Sequence, residues 1–153
     1  MNGTLAASEW MNCQAENMAR MQLSRRLKRA IALRVAQMQE SEYGLAFHGA
    51  EAAREDIPEA DAQNFRRGIA DDPKEQTVLA LVSKVLRDHG RNAALAIESA
   101  RALGVTDADI VEIIALISMH TFANHLAGAS QVFVDPPQLK NVDGSLAAIT
   151  NYA

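Results

Sequence analysis

The sequence predicts an all-α protein, a single-domain bundle of about six to seven helices, and three observations carry that prediction. Aromatic residues make up only 5% of the 153 residues; Ala and Leu supply much of the apolar surface, which suits close-packed helices better than a β-sandwich. Apolar residues recur at helical spacing in one segment after another. Between those segments stand helix start and stop signals, among them Ser24, Asp72, Thr106, Gly68, Gly90 and Gly104. One domain spanning 1–153 is expected, since a chain of 16.6 kDa buries about 70% of its extended-chain surface.

Taken in order, Ser8 is placed to cap a first helix through about Met21, with Trp10, Met11, Met18 and Met21 as its apolar contacts. Ser24 caps the next, "RRLKRAIALRVAQMQ", in which Leu27, Ile31, Arg34, Val35 and Met38 share a helical period. A further helix is expected from about Ser41 to Arg54. Asp56 with Pro58 reads as the cap and first turn of a short helix ending at Gly68. In "DDPKEQ", Asp72 can cap, Pro73 suits the first helical position, and Glu75 lies in the first turn where a negative charge is favoured. That helix carries Val78, Leu81, Val82 and Val85 to a stop near Gly90. Asn92 to Leu103 follows, ended by Gly104. Thr106 with Asp109 is a short-side-chain capping box for a long last helix, Asp107 to about Ala127. Pro136 and Pro137 rule out further helix, and 138–153 reads as a C-terminal tail, a candidate for packing on a neighbouring subunit.

The net charge is −4, so no nucleic-acid footprint is expected. The one basic cluster, "RRLKR" at 25–29, reads as a solvated helix face. The longest apolar run, "IVEIIALISM", is short and carries Glu112, so no membrane span is expected. The N-terminus lacks a basic region followed by an apolar run, so no signal peptide is expected either. The lone Cys13 excludes an intramolecular disulfide and any multi-cysteine metal site, and suits a reducing cytoplasm. It reads as a buried or half-buried structural thiol.

The stretch "LSRRLKRAIALRVAQMQESEYGLAFHGAEAA" resembles the active-site helix pair of the carboxymuconolactone decarboxylase and alkyl hydroperoxidase D superfamily, whose pattern ends Asn-Gly-Cys-x-Tyr-Cys-x-x-x-His. "DPKEQTVLALVSKVLRD", "ALGVTDADIVEIIALISMHTFANHLAGA" and the closing "DPP" extend the resemblance over roughly residues 20–137. It implies the fold of that superfamily and assembly as a trimer or hexamer through the apolar face of the last helix. Ser41 and Gly44 stand where the family has its two cysteines, Tyr43 and His48 match its Tyr and His, and Arg29 stands where peroxidase members place a relay Glu. Only His48 of the four relay positions is kept. In the peroxidase members a thiolate attacks the hydroperoxide, and the second cysteine resolves the sulfenic acid as a disulfide. A serine hydroxyl forms no sulfenic acid, glycine offers no resolving group, and a guanidinium is no base. Thiol peroxidase chemistry is therefore not expected at this site.

What remains admits more than one reading. Ser41, Gly44 and His48 share a helix face, yet the rise from Ser41 to His48 is about 10 Å, too long for a direct nucleophile–base bond. The bare backbone at Gly44 leaves either a recess facing His48 or a close helix contact, with His48 bonded to a backbone carbonyl or to Glu51. His120 and Asn124 share a face of the last helix, making Gly44, His120 and Asn124 a candidate pocket, while His125 points elsewhere. His48 with His120 or His125 is a weak metal set, lacking a carboxylate at ligand spacing, so no metal or cofactor is expected. Three functions follow: a peroxidase-related protein by descent, a small-molecule acid/base enzyme using His48 with Tyr43 and Ser41, or a non-catalytic binding or assembly subunit.

Overall fold

In a computed structural model, the residues described are 3–131; the side chains of 3–8, 11 and 15 are left aside, and the predicted tail with Pro136 and Pro137 lies outside this range. Among the described residues there are seven helices and no strand: α1 (Gly3–Arg20), α2 (Arg25–Met38), α3 (Glu42–Arg54), α4 (Glu59–Arg67), α5 (Pro73–Asp88), α6 (Ala94–Ala102) and α7 (Asp107–Ala129). The all-α expectation holds.

The local signals explain most boundaries. Ser24 Oγ accepts the amide of Leu27 at 3.1 Å, and Asp72 Oδ1 accepts that of Glu75 at 2.8 Å. Thr106 and Asp109 form a reciprocal capping box. Three boundaries differ from expectation. α1 runs straight through Ser8 from Gly3, because Leu5, Ala6 and Ala7 are good helix formers. Asp56 does not cap α4, whose N-cap is Pro58 with no side-chain bond. Asp56 instead takes a left-handed φ of 56° after α3, with Asp56 N bonded to Ala53 O and Ile57 N to Ala52 O. That is a Schellman turn built on an aspartate, and it drives Ile57 into the core. Similarly Asn92, at φ 56°, belongs to the turn before α6 rather than to the helix.

α2 is the central element, packed against α3, α4, α5 and α7. Its alanines Ala30, Ala32 and Ala36 are fully buried, which lets four neighbours approach one axis. On one side, Leu27, Ile31 and Val35 meet Val78 and Val82 of α5 and Ile113 of α7; on the other, Ala30 and Leu33 meet Ala52, Phe65 and Leu79. α7 is apolar and long enough to cross a bilayer by length and composition alone, but it is packed on α2, α3 and α5 as a core helix.

The basic cluster on α2, expected from sequence to be a solvated helix face, is instead largely paired. Arg26 pairs with Asp61 and Glu75 over the Phe65 ring. Lys28 Nζ donates to the carbonyls of Met18 and Met21 at the end of α1, a cation placed where the helix dipole favours it. Arg29 turns inward to the cluster described next. Cys13 is exposed rather than buried, because the inward contacts of α1 fall on Trp10, Met18 and Met21.

Candidate functional site

α3 is positioned by its first residue. Ser41, at the N-cap, accepts the amide of Gly44 through Oγ at 3.1 Å; this satisfies one of the unpaired donors at the helix start. The hydroxyl is thus engaged in the cap, and it is not turned to His48.

Gly44 is buried, with an ordinary helical backbone. A Cβ built there would stand 2.4 Å from Asn124 Oδ1, 3.0 Å from Ala36 Cβ and 3.1 Å from Ser41 Oγ. No recess exists at Gly44: the Asn124 carboxamide fills the space. Asn124 is itself held, its Nδ2 donating to Gln39 Oε1 at 2.8 Å while Gln39 Nε2 donates to Thr121 Oγ1 at 2.9 Å. Gly44 is the close contact that joins α3 to α7 and α2.

One turn further along α3, His48 is 8% exposed. Its Nδ1 lies 2.8 Å from Arg29 Nη1. A guanidinium is always protonated and can only donate, so Nδ1 is the acceptor and the remaining ring proton sits on Nε2. Arg29 is anchored by a bidentate pair to Glu55, Nε to Oε2 at 3.0 Å and Nη2 to Oε1 at 2.8 Å. Glu51, one turn after His48's own turn, lies 3.7 Å from Arg29 Nη2 and also pairs with Arg54. Glu51 therefore acts on Arg29, and His48 bonds neither to it nor to a backbone carbonyl through Nδ1.

Across the helix interface His48 meets His120 of α7 edge-on, ring centroids 4.8 Å apart. His120 is 8% exposed, and its Nε2 is buried with no hydrogen-bond partner among the described residues. Burial, the facing His120 and the Arg29 charge hold His48 well below the usual histidine range. Burial and Arg29 push His120 down to about 4. Both imidazoles are neutral at pH 7. The Arg29 bond also holds the Glu55 carboxyl below its ordinary value.

The structure thus brings together His48, His120 and Arg29, with Asn124 adjoining Gly44 a turn away; Tyr43 lies outward, stacked on Phe47, and His125 is exposed. Among the described residues no three His, Cys, Asp or Glu side chains converge as a metal site would require. Glu55 and Phe47 were not singled out from sequence. An acidic residue at the end of α3 reads as a solvated terminus until the α2–α3 hairpin shows that it faces Arg29.

The seven-helix arrangement is that of the alkyl hydroperoxidase D-like fold, as its likeness to two solved structures shows. Among solved structures the chain is similar to an uncharacterized peroxidase-related protein from Silicibacter sp. TM1040, with a TM-score of 0.76 and 20% identity over 84% of this chain and 70% of that one. It is also similar to a protein of unknown function from Agrobacterium tumefaciens, provisionally an antioxidant defence protein AhpD, with a TM-score of 0.77 and 20% identity over 88% of this chain and 97% of that one. No protein-family model matches the chain, and no curated protein matches it significantly.

Proposed function

We propose that this is a thiol-independent protein of the carboxymuconolactone decarboxylase and alkyl hydroperoxidase D superfamily, in which His48 acts on a small molecule as a neutral hydrogen-bond donor that polarises it. The observation that carries this reading is the 2.8 Å contact from Arg29 Nη1 to His48 Nδ1. It occupies the ring's only lone pair and leaves Nε2–H to donate. A general base needs a free lone pair, so of the two roles open to His48 in sequence, the base is disfavoured. A neutral imidazole can still polarise a carbonyl by hydrogen bonding the oxygen on which negative charge develops. Its proton need not leave the ring, since the hydrogen bond alone lowers the energy of that oxygen.

Hydroperoxide reduction by descent is the rival suggested by the names of the similar structures. Ser41 is committed to its cap, and Cys13 is exposed on α1 in a chain with no second thiol. Hydroperoxide consumption with a dithiol reductant is expected to be absent, before and after Cys13→Ser. A non-catalytic subunit draws support from the filled contact at Gly44. A panel of lactones and β-keto acids, assayed against pH with His48→Ala alongside, separates the two: turnover lost with His48 supports the donor reading, and turnover unaffected by that change removes His48 from the mechanism. A homo-oligomer, trimer or hexamer, is supported by Val111 and Ile114, apolar and exposed on α7, and a reducing cytoplasm suits the lone thiol.

A further inference from the structure

Four rings run from the surface of α3 into the bundle. Tyr43 and Phe47 lie nearly parallel, 6.1 Å between centroids. Phe47 meets His48 edge-on at 5.2 Å, and His48 meets His120 at 4.8 Å. The outer two are open to solvent, Tyr43 at 39% and Phe47 at 48% exposure, while the inner two are buried. At the inner end, His120 Nε2 is a buried polar atom without a partner among the described residues, the kind of group that proteins rarely leave unsatisfied.

The charges beside the rings restrict what could join them. Arg29 is the cation that acts on both imidazoles. Its Nε and Nη2 are taken by Glu55 and its Nη1 by His48, with Glu51 3.7 Å from Nη2. An anion arriving beside His48 would lose its hydration and face the two carboxylates that already pair with the guanidinium. An uncharged ligand avoids both costs. The exposed aromatic faces of Tyr43 and Phe47 favour a flat one.

Resting on the donor role of His48, we infer that the Phe47–His48–His120 cluster binds an uncharged, flat carbonyl compound, such as an aromatic amide, ketone or lactone. The carbonyl oxygen accepts from His48 Nε2 and the ligand plane lies against Phe47, while His120 packs edge-on behind His48 and senses the ligand through that ring. Lactones are therefore preferred over anionic β-keto acids.

Benzamide and benzoate test this, being alike in shape and different in charge. Binding to the full chain is followed by the imidazole ring shifts of His48 and His120 in NMR titrations at pH 7. Benzamide is expected to move both rings and to bind at least tenfold more tightly than benzoate. Phe47→Ala, a change at a half-exposed position that leaves the core untouched, is expected to weaken benzamide about tenfold. Benzoate binding as tightly as benzamide, benzamide indifferent to Phe47→Ala, or no movement of either imidazole would each overturn the inference. The ring tautomer of His48 in the ligand-free protein tests the underlying donor role by itself. An Nε2–H ring with no benzamide response sinks only the ligand class.

Discussion

Gly44→Ala is the substitution whose sign is most informative. By helix propensity alone the change should stabilise α3 by roughly 1 kcal/mol, since Gly44 has ordinary helical backbone angles and no need of glycine's freedom. The packing says the opposite. The new methyl would stand 2.4 Å from Asn124 Oδ1, and Ala36 Cβ and Ser41 Oγ close the other directions at 3.0 and 3.1 Å. Overpacking of this kind costs about 1–3 kcal/mol. Turning the carboxamide aside breaks its 2.8 Å bond to Gln39, worth about 1 kcal/mol more. A net destabilisation of about 1–3 kcal/mol is expected, read as a lower urea midpoint at unchanged slope. Asn124→Ala in the same chain removes the tightest clash, so the double variant should recover at least ~1 kcal/mol of coupling in a double-mutant cycle. A Gly44→Ala chain more stable than the parent, or strictly additive effects, would refute the reasoning. The same contact implies that a thiol cannot be placed at position 44 by Gly44→Cys without displacing Asn124.

Other expectations follow from the imidazoles, the guanidinium and the thiol. His120 titrates near 4 when folded against 6.5 as its ordinary value, so the unfolded chain binds its proton first. Its stabilising contribution is present above pH 6.5 and is lost as pH falls toward 4, by about 3 kcal/mol; His120→Leu should flatten that part of a stability–pH curve, and an unchanged slope would contradict the assignment. Arg29→Met leaves Glu55 without its bidentate partner beside His48, Glu51 keeping Arg54, and should cost about 2–4 kcal/mol by chemical denaturation. It should also raise the His48 titration midpoint, since the nearby cation is gone; a lower midpoint would count against the geometry. Cys13→Ser should change stability by no more than about 0.5 kcal/mol, and an aromatic disulfide reagent should titrate the native thiol without denaturant.

How much of this could be read from sequence depends on the range of the interaction. The caps Ser24, Asp72 and Thr106 are local, three residues from the amides they accept, and short-range rules identify them. Ser41 as a cap follows the same logic, although its alignment with a thiol position of the superfamily that the sequence resembles points to chemistry instead. The Schellman turn at Asp56 is not legible locally, because a non-glycine left-handed residue carries a weak signal and an aspartate two residues before a proline reads equally well as a cap. In the sequence, Arg29 stands out only by aligning with a relay position of the superfamily it resembles. Its bonds to Glu55 and His48 span 26 and 19 residues, and depend on how the α2–α3 hairpin closes. Gly44 was the hardest. A bare position in a helix means a hole or a contact, and only the tertiary placement of Asn124, eighty residues away, decides which.

The central claim is that Arg29 fixes His48 as a neutral ring protonated at Nε2. Long-range proton–nitrogen correlation spectra of the uniformly 15N-labelled, ligand-free protein at pH 7 report this directly. The account predicts one unprotonated nitrogen at Nδ1, one protonated nitrogen at Nε2, and loss of that single-tautomer pattern in Arg29→Met. A cationic ring, or a proton resting on Nδ1, would contradict it.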